Sequence, residues 1–216
     1  MSSKKPLIKS ALLRDAIALF LITLVSGLGL SYVYEITKEP IKAQEIQKSI
    51  EANKSVFTDA SSFEEDTQLT ELAKTTELTS LSADYQGVTI DAINQALDSS
   101  NQLVGYNITV STSAGYKDGI NFVFGYSLDG TITGIEFLGI KETAGLGMKA
   151  AEPEFKNQFL NKQVKQFVVT KTGAAAENEI DALSGATITS RAVTNAINAG
   201  IAFVVQNSEQ MGGTQE

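Results

Sequence analysis

The sequence predicts an α+β protein: one N-terminal transmembrane helix, then an extracytoplasmic domain with a mostly antiparallel sheet and flanking helices. Three stretches predict it. Residues 16–34, "AIALFLITLVSGLGLSYVY", carry no charge over 19 positions. Residues 103–138 alternate and are rich in Ile, Val, Phe, Tyr and Thr, as half-buried strands are. Residues 191–206, "RAVTNAINAGIAFVVQ", have the length and apolar content of a closing helix. Helices and strands fall in blocks and do not alternate, which points away from a parallel α/β sheet.

Composition narrows the chemistry. The chain has 216 residues and a formal net charge of −8, which argues against non-specific nucleic-acid binding. The charge is uneven: residues 1–15 carry a net +3 from Lys4, Lys5, Lys9 and Arg14 against Asp15, leaving −11 on the remainder. Cys and His are both absent. Disulfides, thiolate metal sites, His-ligated haem and a histidine general base therefore cannot be built from this chain alone. A redox role would need a bound organic cofactor.

Taken in order, residues 1–15 form a basic cytoplasmic tail and 16–34 the transmembrane helix. At about 1.5 Å per residue, the run spans roughly 28 Å, close to the hydrocarbon thickness of a bilayer. Tyr32 and Tyr34 sit where an interfacial belt would lie, and the basic cluster places the N-terminus inside. A cleaved signal peptide is the competing reading; the long run and the lack of a small-residue cleavage site after it favour an uncleaved anchor. Gly27 and Gly29 read as incidental or as a close-packing face. Residues 35–100 read as a helical and loop connecting region. Pro40 fits a first helical turn, with Ile46, Ile50 and Val56 or Phe57 as a sparse apolar stripe. Residues 58–84, acidic and rich in Ser and Thr, read as loop with short helical or strand pieces.

The domain core is expected over 101–207. Strands are predicted at 103–112, 119–127 and 131–138, the last two joined by the Asp129-Gly130 turn pair. Residues 141–152 form a loop in which Gly145 and Gly147 bracket Leu146, Pro153 opens a short helix through Phe159, and a strand covers 164–170. Residues 173–190 read as loop, 191–206 as the last helix and 208–216 as a flexible tail.

The loop ahead of that helix, "DALSGATITS", concentrates hydroxyl groups. They suit helix capping, since Ser and Thr accept from the first free backbone N–H groups. The same N–H groups and the positive end of the helix dipole also suit an anion, phosphate above all. Residue chemistry alone leaves both readings open.

The stretch "DALSGAT" resembles the flavinylation motif of the FMN-binding domain family, Asp-x-x-Ser/Thr-Gly-Ala-Thr, and "ETAGLGMK" resembles that family's Glu-Thr-Pro-Gly-Leu-Gly-x-Lys. The hairpin segment that leads into the second motif and the anchored plan are similar too. The resemblance covers roughly 10–205 and is densest from 104 to 195. It points to the G subunits of Rnf-type ion-translocating ferredoxin:NAD oxidoreductases, with the C subunits of sodium-translocating NADH:quinone reductases as relatives. Ala144 stands where the family has Pro, without loss of the flanking Glu-Thr and Gly-Leu-Gly.

The resemblance implies FMN held on Thr187 by a phosphoester bond, attached by a separate flavin transferase. It places Asp181, Ser184, Gly185 and Ala186 around the phosphate and in the transferase's recognition stretch, and Glu142, Thr143, Leu146 and Gly147 against the flavin. Thr189 and Ser190 would cap the last helix. Lys149 and Lys171 would place positive charge nearby or remain solvated; Tyr116 and Phe155 would stack on the ring or belong to the core. The implied role is an electron-carrying subunit of the complex, with other membrane and redox subunits as partners, no metal, no nucleic acid and no standalone activity. The alternatives are the quinone-reductase C subunit, an anchored non-redox module for a phosphate-bearing ligand, an assembly subunit that has lost its cofactor, and a flavin domain of a standalone reductase.

Overall fold

The computed structural model describes residues 7–117 and 119–207. Lys4, Lys5 and the tail 208–216 lie outside the described residues. The chain divides into two compact units, the second beginning at Lys48.

In the first unit the chain is helical from Leu7 to Gln47, the greater part of helix α1 (Leu7–Val56). Its apolar run is exposed throughout, Val25 at 69% and Leu30 at 72%. By length and composition the helix is able to cross a membrane. The Thr23 hydroxyl donates to its own helix, to the Phe20 carbonyl at 2.9 Å, so it needs no outside partner. Pro40 does not open a helix as expected but lies inside α1. No turn chemistry separates Tyr34 from Pro40. The carbonyl of Ile36 gives up its i+4 donor to the ring nitrogen, a loss of about 3 kcal/mol in helix propensity. The expected stripe is corrected as well: Ile46 and Ile50 are exposed, while Ala52, Val56 and Phe57 are buried.

The second unit is built on a five-stranded antiparallel sheet in the order β1 (Ser62–Glu65), β2 (Val88–Leu97), β3 (Leu103–Thr112), β4 (Ile120–Ser127), β5 (Ile132–Ile140). The strands expected at 103–112, 119–127 and 131–138 are β3, β4 and β5. Asp129 closes the last hairpin: its carboxylate accepts from the Thr131 N–H at 3.0 Å and from the Ser127 hydroxyl, and Gly130 takes φ 87°. Those hydrogen bonds, the Ser127 hydroxyl foremost, hold its carboxyl below the usual carboxylate range.

In residues 35–100, β1 is one of the short pieces expected over 58–84, whereas β2, a ten-residue strand after it, was not expected. β1 leads to helix α2 (Thr67–Thr75), capped by Asp66, whose carboxylate accepts from the Leu69 N–H at 2.9 Å. β2 then pairs with β3 along nearly its whole length.

After β5 come a 3₁₀ turn (Gly147–Ala151) and helix α3 (Pro153–Lys156), shorter than the expected run to Phe159. The strand expected at 164–170 shrinks to β6 (Val168–Thr170). It pairs in parallel with β7 (Glu179–Asp181), inside a segment expected to be loop. Helix α4 (Thr187–Gln206) begins four residues earlier than expected and packs on the sheet. The core joins Ile93, Ile108, Phe122, Phe124 and Phe137 of the sheet to Val193, Ile197 and Phe203 of α4.

Candidate functional site

A cavity of about 560 Å³ opens where the loop after β5 meets the start of α4. Its lining comes from three separate stretches: Tyr116; Glu142, Thr143, Leu146 and Gly147; and Gly185 through Thr189. Such a volume is within the usual range for small-molecule and cofactor sites.

The first stretch is the turn between β3 and β4. It is fastened by Glu142, whose Oε1 accepts from the Tyr116 N–H at 2.8 Å and the Lys117 N–H at 3.4 Å. Glu142 is buried, whereas Tyr116 is 69% exposed at the cavity. The second stretch folds back on itself, the Thr143 carbonyl accepting from the N–H groups of Leu146 (3.1 Å) and Met148 (3.2 Å).

The third stretch is the start of α4. Ala186 is the N-cap and no side chain caps the helix. Thr189 and Ser190, expected as caps, are instead buried inside the first turns. Ser190 accepts from the Leu183 N–H at 2.9 Å and donates to the Ala186 carbonyl at 3.1 Å. Its hydroxyl thus braces the preceding loop and leaves the helix end open. Helical geometry leaves the N–H groups of Thr187, Ile188 and Thr189 without intrahelical partners. Gly185 turns the chain into the helix with φ 75°, a value glycine adopts without strain.

The second and third stretches meet through glycines. A Cβ on Gly185 would sit 3.1 Å from Leu146 Cδ2, and one on Gly147 would sit 2.7 Å from Thr189 Oγ1. The two motifs, far apart in sequence, are pressed together here.

Of the residues expected at the site, Glu142, Thr143, Leu146, Gly147, Gly185, Ala186 and Thr187 line one cavity, with Tyr116. Asp181 and Ser184 do not line it. Asp181 ends β7, with its backbone N–H and carbonyl both engaged by the Gln158 amide, at 2.6 and 3.3 Å; it borders a neighbouring depression with Glu154 and Lys162. Ser184 is exposed on the loop. Lys149 and Lys171 are exposed and outside the lining. Phe155 is core: it packs edge-on against Phe159 at 5.5 Å and is 1% exposed. Ile188 was not anticipated; it is an apolar side chain 54% exposed at the cavity.

The arrangement suits a ligand with two unlike ends. An anionic end would meet three N–H donors and the helix dipole, beside the Thr187 hydroxyl. A flat apolar end would lie among Tyr116, Leu146 and Ile188, which are exposed although large and apolar. Among the described residues no His, Cys, Asp and Glu grouping is suited to a metal ion.

Residues 115–202 match the FMN-binding domain family. The chain is 40% identical over 105 residues to the G subunit of a Na⁺-translocating ferredoxin:NAD⁺ oxidoreductase complex from Acetobacterium woodii, covering 48% of this chain and 50% of that protein. It is 34% identical over 128 residues to the G subunit of an ion-translocating oxidoreductase complex from Methanosarcina acetivorans, covering 59% and 65%. The match thus spans between half and two thirds of the length of these relatives. Among solved structures, Shewanella oneidensis NqrC aligns with TM-score 0.47 at 21% identity, over 57% of this chain and 61% of that one.

Proposed function

We propose that this chain is a membrane-anchored flavoprotein subunit that carries FMN on Thr187 through a phosphoester bond. It relays electrons between redox centres of an Rnf-type ion-translocating ferredoxin:NAD oxidoreductase complex. The observation that carries this reading is the Thr187 hydroxyl, at the first residue of an uncapped helix and on a cavity that both motifs line. The match of residues 115–202 to the FMN-binding domain family and the likeness to the G subunits of such complexes support it.

In this reading the α4 N-terminus holds the phosphate, with Gly185 leaving room for its approach. Tyr116, Leu146 and Ile188 hold the ring near the surface. The bound flavin supplies electron-transfer chemistry that a chain without Cys or His cannot build from its own side chains. Tethering also stops loss of the group by dilution outside the cytoplasm. A flavin transferase attaches it, recognising the Asp181–Thr187 loop. The apolar run of α1 spans the membrane, with the basic residues on the cytoplasmic side and the second unit outside. Partners are the other membrane and redox subunits of the complex.

The test is intact mass and peptide mapping after co-expression with a flavin transferase. A yellow protein, heavier by one FMN less water on the peptide holding Thr187, is expected, and Thr187→Ala should lose the adduct while Ser184→Ala keeps it. A protein of unmodified mass that binds phosphate or a sugar phosphate at the same loop would replace this reading with a non-redox binding module.

A further inference from the structure

The two oxygens of Glu142 have different surroundings. Oε1 accepts from the Tyr116 and Lys117 N–H groups. Oε2 lies toward Gly147, where a Cβ would come within 2.8 Å of it, and no N–H or O–H of the described residues donates to it. The residue is only 6% exposed yet lines the cavity. Among the described residues no Lys or Arg forms an ion pair with it. Neighbouring Lys117 and Lys141 are exposed. The carboxylate lies close between two glycines: a Cβ on Gly115 would sit 2.5 Å from Oε1.

We infer that Glu142 is a positioning residue that also sets the reduction potential of the group bound in this cavity. One oxygen fixes the turn that carries Tyr116, and the buried negative charge holds the potential down. The inference rests on the flavin reading above. Its physics is general. A fixed negative charge in a water-poor wall opposes the arrival of further negative charge on an adjacent group, and the opposition is stronger there than in water. The clamp and the charge are separable. Gln retains a carbonyl oxygen for the Tyr116 and Lys117 N–H groups but removes the charge, while Ala removes both.

The experiment uses the full chain in detergent, co-expressed with a flavin transferase, as wild type, Glu142→Gln and Glu142→Ala. Intact mass first establishes the Thr187 adduct in each. Dye-equilibrated reductive titration then reads the potential, and limited trypsin digestion reads cleavage after Lys117. Glu142→Gln should raise the potential by about 30 mV or more, tenfold in the equilibrium of a two-electron couple, with cleavage unchanged. Glu142→Ala should raise it and also speed cleavage after Lys117 several-fold. An unmoved potential in Glu142→Gln with the adduct intact overturns the inference and leaves the flavin reading standing. Cleavage unchanged in Glu142→Ala overturns the clamp. A wild-type chain without the adduct sinks the flavin reading and this inference with it.

Discussion

The two faces of the five-stranded sheet are packed by different means. One face carries Ile93, Ile108, Phe122 and Phe124, each 0% exposed, and meets α4 through side-chain volume. Phe122 and Phe137 stack in a tilted pair at 5.3 Å. Even here one close approach is needed, since a Cβ on Gly200 would lie 2.5 Å from Phe124 Cζ. The other face carries Gly105, Asn107, Val123, Gly125 and Gly134 and meets Lys48–Phe57. A Cβ on Gly125 would be 2.7 Å from the Val56 carbonyl oxygen, and one on Gly134 3.1 Å from Val56 Cα. Polar contacts fill the remainder: Asn107 Nδ2 donates to the Asn53 carbonyl at 3.0 Å, Thr133 to the Val56 carbonyl, and the Lys48 ammonium to the Leu138 carbonyl. Bulk secures the first face; on the second, glycines admit the backbone of residues 48–57 beside side-chain hydrogen bonds and a small cluster of Ala52, Val56 and Val123. The last turns of α1 are therefore part of the folded domain, seated backbone against backbone.

This contrast can be broken from either side. Phe124→Ala should cost most, about 3–5 kcal/mol, because it opens a cavity under α4; urea unfolding of the full chain in detergent measures it. Gly125→Val should cost about 1–3 kcal/mol by overpacking. It should also speed tryptic cleavage after Lys54, and unchanged cleavage would show that the α1 end is not seated on this face. Asn107→Ala should cost about 1 kcal/mol, a modest amount because Asn107 Oδ1 is itself buried without a donor. Asp129→Asn, at a hairpin tip that touches neither face, should cost about 0.5 kcal/mol or less at neutral pH. Its folded carboxyl is held below the usual range, so its contribution is present above the ordinary Asp value. It is lost as pH falls through the depressed one. The difference between wild type and Asp129→Asn should thus vanish once the pH is below that depressed value. A difference that persists there would mean the turn depends on shape and not on charge.

β3, β4 and β5 were legible because β-branched and aromatic residues mark them and Asp129-Gly130 sets a register. β2 was not. Its "VTIDAINQAL" places Asp91, Asn94 and Gln95 in a strand, and a register shift between Ile90 and Ala92 breaks the alternation. Asp91 accepts across strands, from Ser111 and from Asn121 at 3.0 Å. β7 escaped notice because it is three residues long and exists only as the partner of β6. At the site, the family resemblance supplied Thr187 and the two glycine-bearing motifs. The clamp from Glu142 to the Tyr116 turn has no sequence signal, since its partners lie 25 and 26 residues away.

By itself the sequence determined the uncharged apolar run, the hairpins after Val104 and the closing helix, because each is written in local periodicity, turn chemistry or the absence of charge. It also excluded thiol and imidazole chemistry outright. Tertiary structure alone decided that Ser190 braces a loop and caps nothing. It decided that Phe155 belongs to the core, that Gly147 rests on Thr189, and that α1 ends on a sheet face where glycines let its backbone come close. Those outcomes depend on which surfaces meet, and a Gly or a Ser carries no pattern that names its neighbour in advance.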